Sequence, residues 1–231
     1  VVGLAVDASP GPDCGVTLSG WYLFPSKNTI SQEVEPSTAG PLARNWTART
    51  QWWWVDAVAD YRFGGAFEVL GGFRYDNFAT SFSNPDNNFI AFTGADKSDL
   101  TVNSYIPLIG LRTGYGSSVG ALRFTAQGFP IIFGRLEYNQ AYGNTGLGPQ
   151  ALETTANFKN GYLLEFILDY NVPVASAAGI GLFVRWSDLH AILSTNSTIS
   201  AFGTSSGGGS LNRKAWTFAA EFRLAFGTLW Y

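Results

Sequence analysis

Charge is what this sequence is shortest of. Asp, Glu, Lys and Arg make up 13% of its 231 residues, about half the usual share of roughly 25%. Lysine occurs only at Lys27, Lys97, Lys159 and Lys214. A water-soluble domain of this size normally coats itself with Lys and Glu, so something other than water is expected to wet much of the outside. Long apolar runs are missing too. Although 46% of the residues are hydrophobic, they are spread evenly, and no stretch approaches the ~18 consecutive apolar residues of a membrane-spanning helix. A helical membrane protein is thereby excluded. The single cysteine, Cys14, allows neither an internal disulfide nor a thiolate metal site, and reads as a small apolar residue. The net charge of −3 leaves no electrostatic footprint for nucleic acid.

Aromatic residues are abundant, at 16% with eight Trp, and they recur with period two. Eight segments alternate in the manner of strands: 14–24, 48–62, 67–80, 100–116, 119–138, 158–171, 179–192 and 212–228. The last is the clearest. Trp216, Phe218, Ala220, Phe222, Leu224 and Phe226 share one face, and Ala215, Thr217, Ala219, Glu221, Arg223 and Ala225 share the other. The connections alternate in length. Short ones lie at Gly64-Gly65-Ala66, Ser117-Ser118 and between Val172 and Ala178; long ones cover 25–47, 81–99, 139–157 and 193–211. Tight turns on one side and long loops on the other are the pattern of outer-membrane barrels.

The combination resembles the eight-stranded bacterial outer-membrane β-barrels, of which the OmpA transmembrane domain is the best-known type. The resemblance is architectural and runs from about Cys14 onward. It implies an all-β fold: a closed, antiparallel, up-and-down barrel of eight strands over residues 14–231. Residues 1–13 would precede it as an N-terminal periplasmic segment, in which Val6-Asp7-Ala8 has the small-x-small form of a signal-peptide cleavage site. Short turns and both termini would face the periplasm of a Gram-negative bacterium. The four long loops would face outward, where they are available to a protein partner, and the wall would meet outer-membrane lipid and lipopolysaccharide.

Two sets of residues carry this reading. The polar faces hold Asp56, Asp60, Glu68, Asp76, Glu165, Asp169 and Glu221 beside Arg62, Arg74, Arg112, Arg123, Arg185 and Arg223. Near-balance of this kind predicts internal ion pairs, since a buried unpaired charge costs several kcal/mol or so and the flat guanidinium can bridge two carboxylates. Pairing Arg62 with Glu68 sets one register and places Asp56 opposite Arg74. A register shifted by two would confront Asp60 with Glu68. In the next hairpin, Arg112 opposite Arg123 would bring Pro107 level with Gly128 and close to Pro130, and this proline layer would mark the outer edge of the membrane. Outward aromatics should form two girdles. Tyr61, Phe63, Phe67, Tyr115, Tyr170, Phe226 and Trp230 belong on the short-turn side; Trp53, Tyr75, Tyr105, Tyr162, Trp186 and Trp216 on the long-loop side. Trp52 and Trp54, of opposite parity to Trp53, should point inward.

The interior of such a barrel is only wide enough for side chains, so a charge-plugged structural or surface-interaction protein is expected and no enzyme. The alternatives are a narrow channel for ions or small solutes and a lipid-modifying enzyme. The enzyme would need the only histidine, His190, to reach Ser194, and in one extended strand these lie ~13 Å apart at ~3.3 Å per residue. The acidic stretches 84–88 and 96–99 are read as turn chemistry in preference to a calcium site, and Gly207-Gly208-Gly209 as flexible loop. No cofactor is expected.

Overall fold

Alternation of apolar and polar side chains over most of the chain leaves β structure as the only regular fold that can bury one face of each segment, and the chain is all-β in the computed structural model. The structure describes residues 1–34, 42–63, 67–83, 97–117, 119–145, 148–199 and 203–226. The strands are β1 (Val2–Gly11), β2 (Cys14–Val34), β3 (Leu42–Phe63), β4 (Phe67–Ser83), β5 (Lys97–Ser117), β6 (Gly120–Phe129), β7 (Phe133–Thr145), β8 (Gly148–Ala175), β9 (Ala178–Ile199) and β10 (Gly203–Phe226).

These ten strands form a single sheet that closes into a ring. Each strand pairs antiparallel with its neighbours, except that β1 runs parallel to β10. β6 and β7 lie end to end and share one place between β5 and β8.

The expectation of eight strands is corrected at two places. The first is the chain start. Val2, Leu4 and Ala8 face outward while Ala5 is fully buried, and this alternation over residues 2–11 makes the segment a member of the wall. It is inserted between β2 and β10, with Ala5 opposite both Ser19 and Arg223. Gly3 is needed there because the Trp21 ring crosses directly over it: a Cβ on Gly3 would come within 2.1 Å of that ring. Because β1 runs parallel to β10, Val2 lies level with Ala220, partway along the wall, and Ala8 level with Phe226.

The second place is Pro130. Proline has no N–H to give the ladder, and the expected strand over 119–138 breaks there into β6 and β7. The gap faces Pro107 and its neighbours, since Ile109 pairs with Gly128 and Tyr105 with Phe133. Ile132, 1% exposed, fills the inner side of the gap. The expected register of this hairpin is also corrected, by two residues. Arg112 sits opposite Thr125 and Arg123 opposite Gly114, which keeps two arginines from facing each other. The turn closes with Ser117 opposite Gly120. Gly120 has φ of 156°, and a Cβ there would meet the Asn171 carbonyl at 2.8 Å.

The first hairpin register is as expected: Arg62 faces Glu68 and Asp56 faces Arg74. Its turn, Gly64-Gly65-Ala66, lies outside the described residues. The long connections are shorter than the alternation suggested, because the strands run on into them. β9 and β10 pair out to Ile199 and Gly203, so Gly207–Gly209 are exposed strand residues and not a flexible loop. Cys14 is exposed at the head of β2. No helix among the described residues is long and apolar enough to cross a membrane, which says nothing of strands.

Candidate functional site

Closing the ring sends one parity of every strand inward. Even positions of β3, β4 and β5 and odd positions of β2, β8, β9 and β10 converge on the lumen, and these are the positions that carry the acids and arginines.

The charges arrange themselves in tiers from the short-turn end. Arg62 lies 3.5 Å from Glu68. Arg112 reaches both Glu68 at 3.2 Å and Asp60 at 3.7 Å. Arg223 holds Glu221 and lies 3.5 Å from Asp7, whose other oxygen accepts from the Thr17 hydroxyl at 2.6 Å. Deeper in, Arg74 forks onto Asp56 at 2.5 and 2.9 Å and donates to Glu165 at 2.6 Å. Glu165 also takes a 2.9 Å bond from Gln127 and lies 3.6 Å from Arg185. Asp56, Arg74, Glu165 and Arg185 thus alternate in sign through the centre of the molecule, each 8% exposed or less. The Arg185 guanidinium lies over Trp54 at 4.0 Å and Trp52 at 5.1 Å. Above them Arg213 grips Asp76 through two 2.9 Å bonds, while the Trp52 indole donates to the same carboxylate at 2.9 Å. Trp52 and Trp54 point inward as their parity predicted, packed with Trp21 and Phe183.

Eleven of the thirteen expected interior charges pair in this way, and the other two, Asp169 and Arg123, lie opposite each other across the β6–β8 ladder. Asp169 and Arg123 are the exceptions to pairing: among the described residues neither makes an ion pair within 4.0 Å, and one oxygen of Asp169 has no hydrogen-bond partner. Two partners were missed from the sequence. Arg213 shares the inward parity of Glu221 and Arg223 and was legible on that ground. Asp7 was passed over because the chain start was not read as a strand. The lumen is also less polar than expected, since Leu70, Ile106, Leu108, Ile132, Leu163 and Leu189 form a buried apolar seam down one side.

Two cavities lie among these charges. One of about 210 Å³ opens among the turns and is lined by Asp7, Asp60, Arg62, Glu68, Arg112, Arg123 and Arg223. The other, about 90 Å³, lies further in against Trp54, Arg74 and Arg185. Thr17, Arg112 and Arg223 border both.

The outer face is apolar on every strand. Leu4, Leu18, Val55, Phe73, Leu111, Phe124, Phe133, Leu168, Leu182 and Phe222 are all exposed. Of the aromatics assigned to the short-turn rim, Tyr61, Phe63, Phe67, Tyr115, Tyr170 and Phe226 are exposed there; Trp230 lies outside the described residues. At the other rim Trp53, Tyr75 and Tyr105 form a continuous row, with ring centroids 5.2 and 5.1 Å apart. Trp216 and Trp186 are cross-strand partners, Trp186 stacks on Phe166 at 5.7 Å, and Tyr162 stacks on His190 at 5.6 Å. Immediately beyond this row the outer face turns polar. Tyr75 and Asn77 both donate to Asn103 at 2.8 Å, Asp188 meets Lys214 at 3.5 Å, and His190 bonds Asn212 at 2.5 Å.

His190 and Ser194 both lie within the unbroken strand β9, and His190 is occupied by Asn212, so this geometry does not bring a base to that hydroxyl. Residues 84–88 and Asp96 lie outside the described residues. Among those described, no three His, Cys, Asp or Glu side chains cluster as metal ligands do. No family model matches the chain, and no curated protein matches it in sequence.

Proposed function

We propose that the chain is a transmembrane β-barrel of a Gram-negative outer membrane, closed inside by its ion pairs and acting as a structural or surface-interaction protein. One observation carries this reading: the outward face is an apolar belt that continues around every strand and ends in aromatic rows with polar side chains beyond. Soluble monomers rarely expose contiguous apolar patches beyond a few hundred Å². From Trp216 to Phe226 the belt spans ten residues, roughly 33 Å along the strand at ~3.3 Å per residue. At a tilt of ~40° that is a height of about 25 Å, the thickness of the apolar band of outer-membrane barrels.

In this reading the short turns face the periplasm. The long hairpins that extend β2–β3, β4–β5, β7–β8 and β9–β10 face outward and supply the surface for a protein partner, and lipid and lipopolysaccharide coat the belt. Catalysis is not part of the reading.

The interior supports a plug in preference to a pore. Trp54, Arg74, Arg185 and Glu165 lie across the lumen, each no more than 2% exposed. Purified protein in a planar bilayer is expected to give no steady openings. Steady unit conductance in the unaltered protein would replace the plug with the channel reading.

A further inference from the structure

We propose that the cavity at the short-turn end is a binding site for a small oxyanion, a phosphate or carboxylate group, anchored by Arg123. Four arginines and three carboxylates line it, and Glu221, just beyond the lining, shares Arg223 with Asp7. Its carboxylates are Asp7, Asp60 and Glu68, and each already sits within 4.0 Å of Arg62, Arg112 or Arg223. Arg123 is the one arginine of this lining that makes no ion pair within 4.0 Å among the described residues. A guanidinium offers five donors in a fixed fork that matches the oxygens of a carboxylate or phosphate.

Asn171 lines the same cavity with its side-chain oxygen buried and without a hydrogen-bond partner. A singly protonated phosphate supplies what both groups lack, acceptor oxygens for Arg123 and an O–H for Asn171. The space suits it. A cavity of about 210 Å³ holds roughly seven waters at ~30 Å³ each. Residues beside the turns, Ser9, Tyr115, Pro173 and Ala178, border it, so a solute enters from that end without crossing the Trp54–Arg185 plug. The site does not depend on whether the outer face meets lipid.

The competing arrangement is a plain ion pair. Asp169 faces Arg123 across the β6–β8 ladder, and a change of rotamer would join them. Calorimetric titration of the detergent-folded protein with inorganic phosphate, at fixed ionic strength in chloride, separates the two. For an anion site, binding saturates, falls at least tenfold in Arg123→Gln, and tightens in Asp169→Asn, which removes a repelling charge. No saturable binding by the unaltered protein, or unchanged binding in Arg123→Gln, overturns the proposal. Should Arg123→Gln fail to fold, Asp169→Asn decides, and an affinity that stays the same or falls overturns it. Succinate titrated in place of phosphate identifies the source: tighter phosphate binding marks a phosphorylated ligand, tighter succinate binding a carboxylate.

Discussion

Replacing Glu165 with alanine is expected to lower the free energy of unfolding by about 3–5 kcal/mol, the usual cost of removing one partner from a buried ion pair. Glu165 is 1% exposed and is the carboxylate shared by Arg74 and Arg185. Without it Arg185 keeps only the faces of Trp54 and Trp52, and Arg74 keeps only Asp56. Of the two buried guanidiniums, only Arg74 would then touch a carboxylate among the described residues. The companion variant tells charge from packing. Replacing Arg74, Glu165 and Arg185 together by apolar residues of similar volume should recover most of the loss, because well-packed apolar groups often substitute for buried charge at little cost. Alanine at Lys214 is the exposed control. Its 3.5 Å pair with Asp188 joins a side chain that is 70% exposed, and such pairs contribute about 0–1 kcal/mol. Denaturant unfolding from lipid vesicles, followed by the fluorescence of the buried tryptophans, measures all three.

Arginine at Leu111 or Leu182 should destabilise the vesicle-embedded protein by about 2–4 kcal/mol, while arginine at Tyr115, at the rim, should cost about 0–1 kcal/mol. Leu111 and Leu182 are 57% and 60% exposed, well inside the belt, and Tyr115 is 75% exposed at its short-turn end. In water the same three positions would be ordinary surface sites, where substitutions fall within about ±0.5 kcal/mol. The dependence on depth is therefore the informative quantity. A flat response of a few tenths at all three positions contradicts a wall in contact with lipid.

Much of this was legible in the sequence because side-chain direction in a strand has a period of two. Parity alone placed Trp52 and Trp54 inside and Trp53 outside, and it sorted the acids and arginines from the aromatics. Charge complementarity then set the β3–β4 register through Arg62 and Glu68. The same logic failed for β5 and β6. There the inward faces offer Arg112 and Arg123 without an acid between them, and nothing local chooses between registers two residues apart; the turn at Gly120 does. Strand number was misjudged where ordinary signals were weak. Residues 2–11 alternate only in small side chains, with Gly3 and Ala5 inward, and their value as a strand appears only when Trp21 is seen lying over Gly3. The network of Asp56, Arg74, Glu165 and Arg185 was predicted as a set but not as a chain. Arg74 meets Glu165 from the far side of the ring, 91 positions away in sequence, and no strand pairing encodes that contact.

The proposed contact between outer wall and lipid is tested most directly by nitroxide accessibility along β10. With Cys14 replaced by serine, single cysteines at Phe218, Ala220, Phe222 and Leu224, and at Thr217 and Ala219, are spin-labelled in protein folded into lipid vesicles. Collision with oxygen and with a water-soluble nickel complex is then measured at each. The even positions should be open to oxygen and closed to nickel, with oxygen contact greatest midway between Trp216 and Phe226, and the odd positions should be shielded from oxygen. Even positions that collide freely with nickel along their whole length would mean that water, not lipid, wets this face.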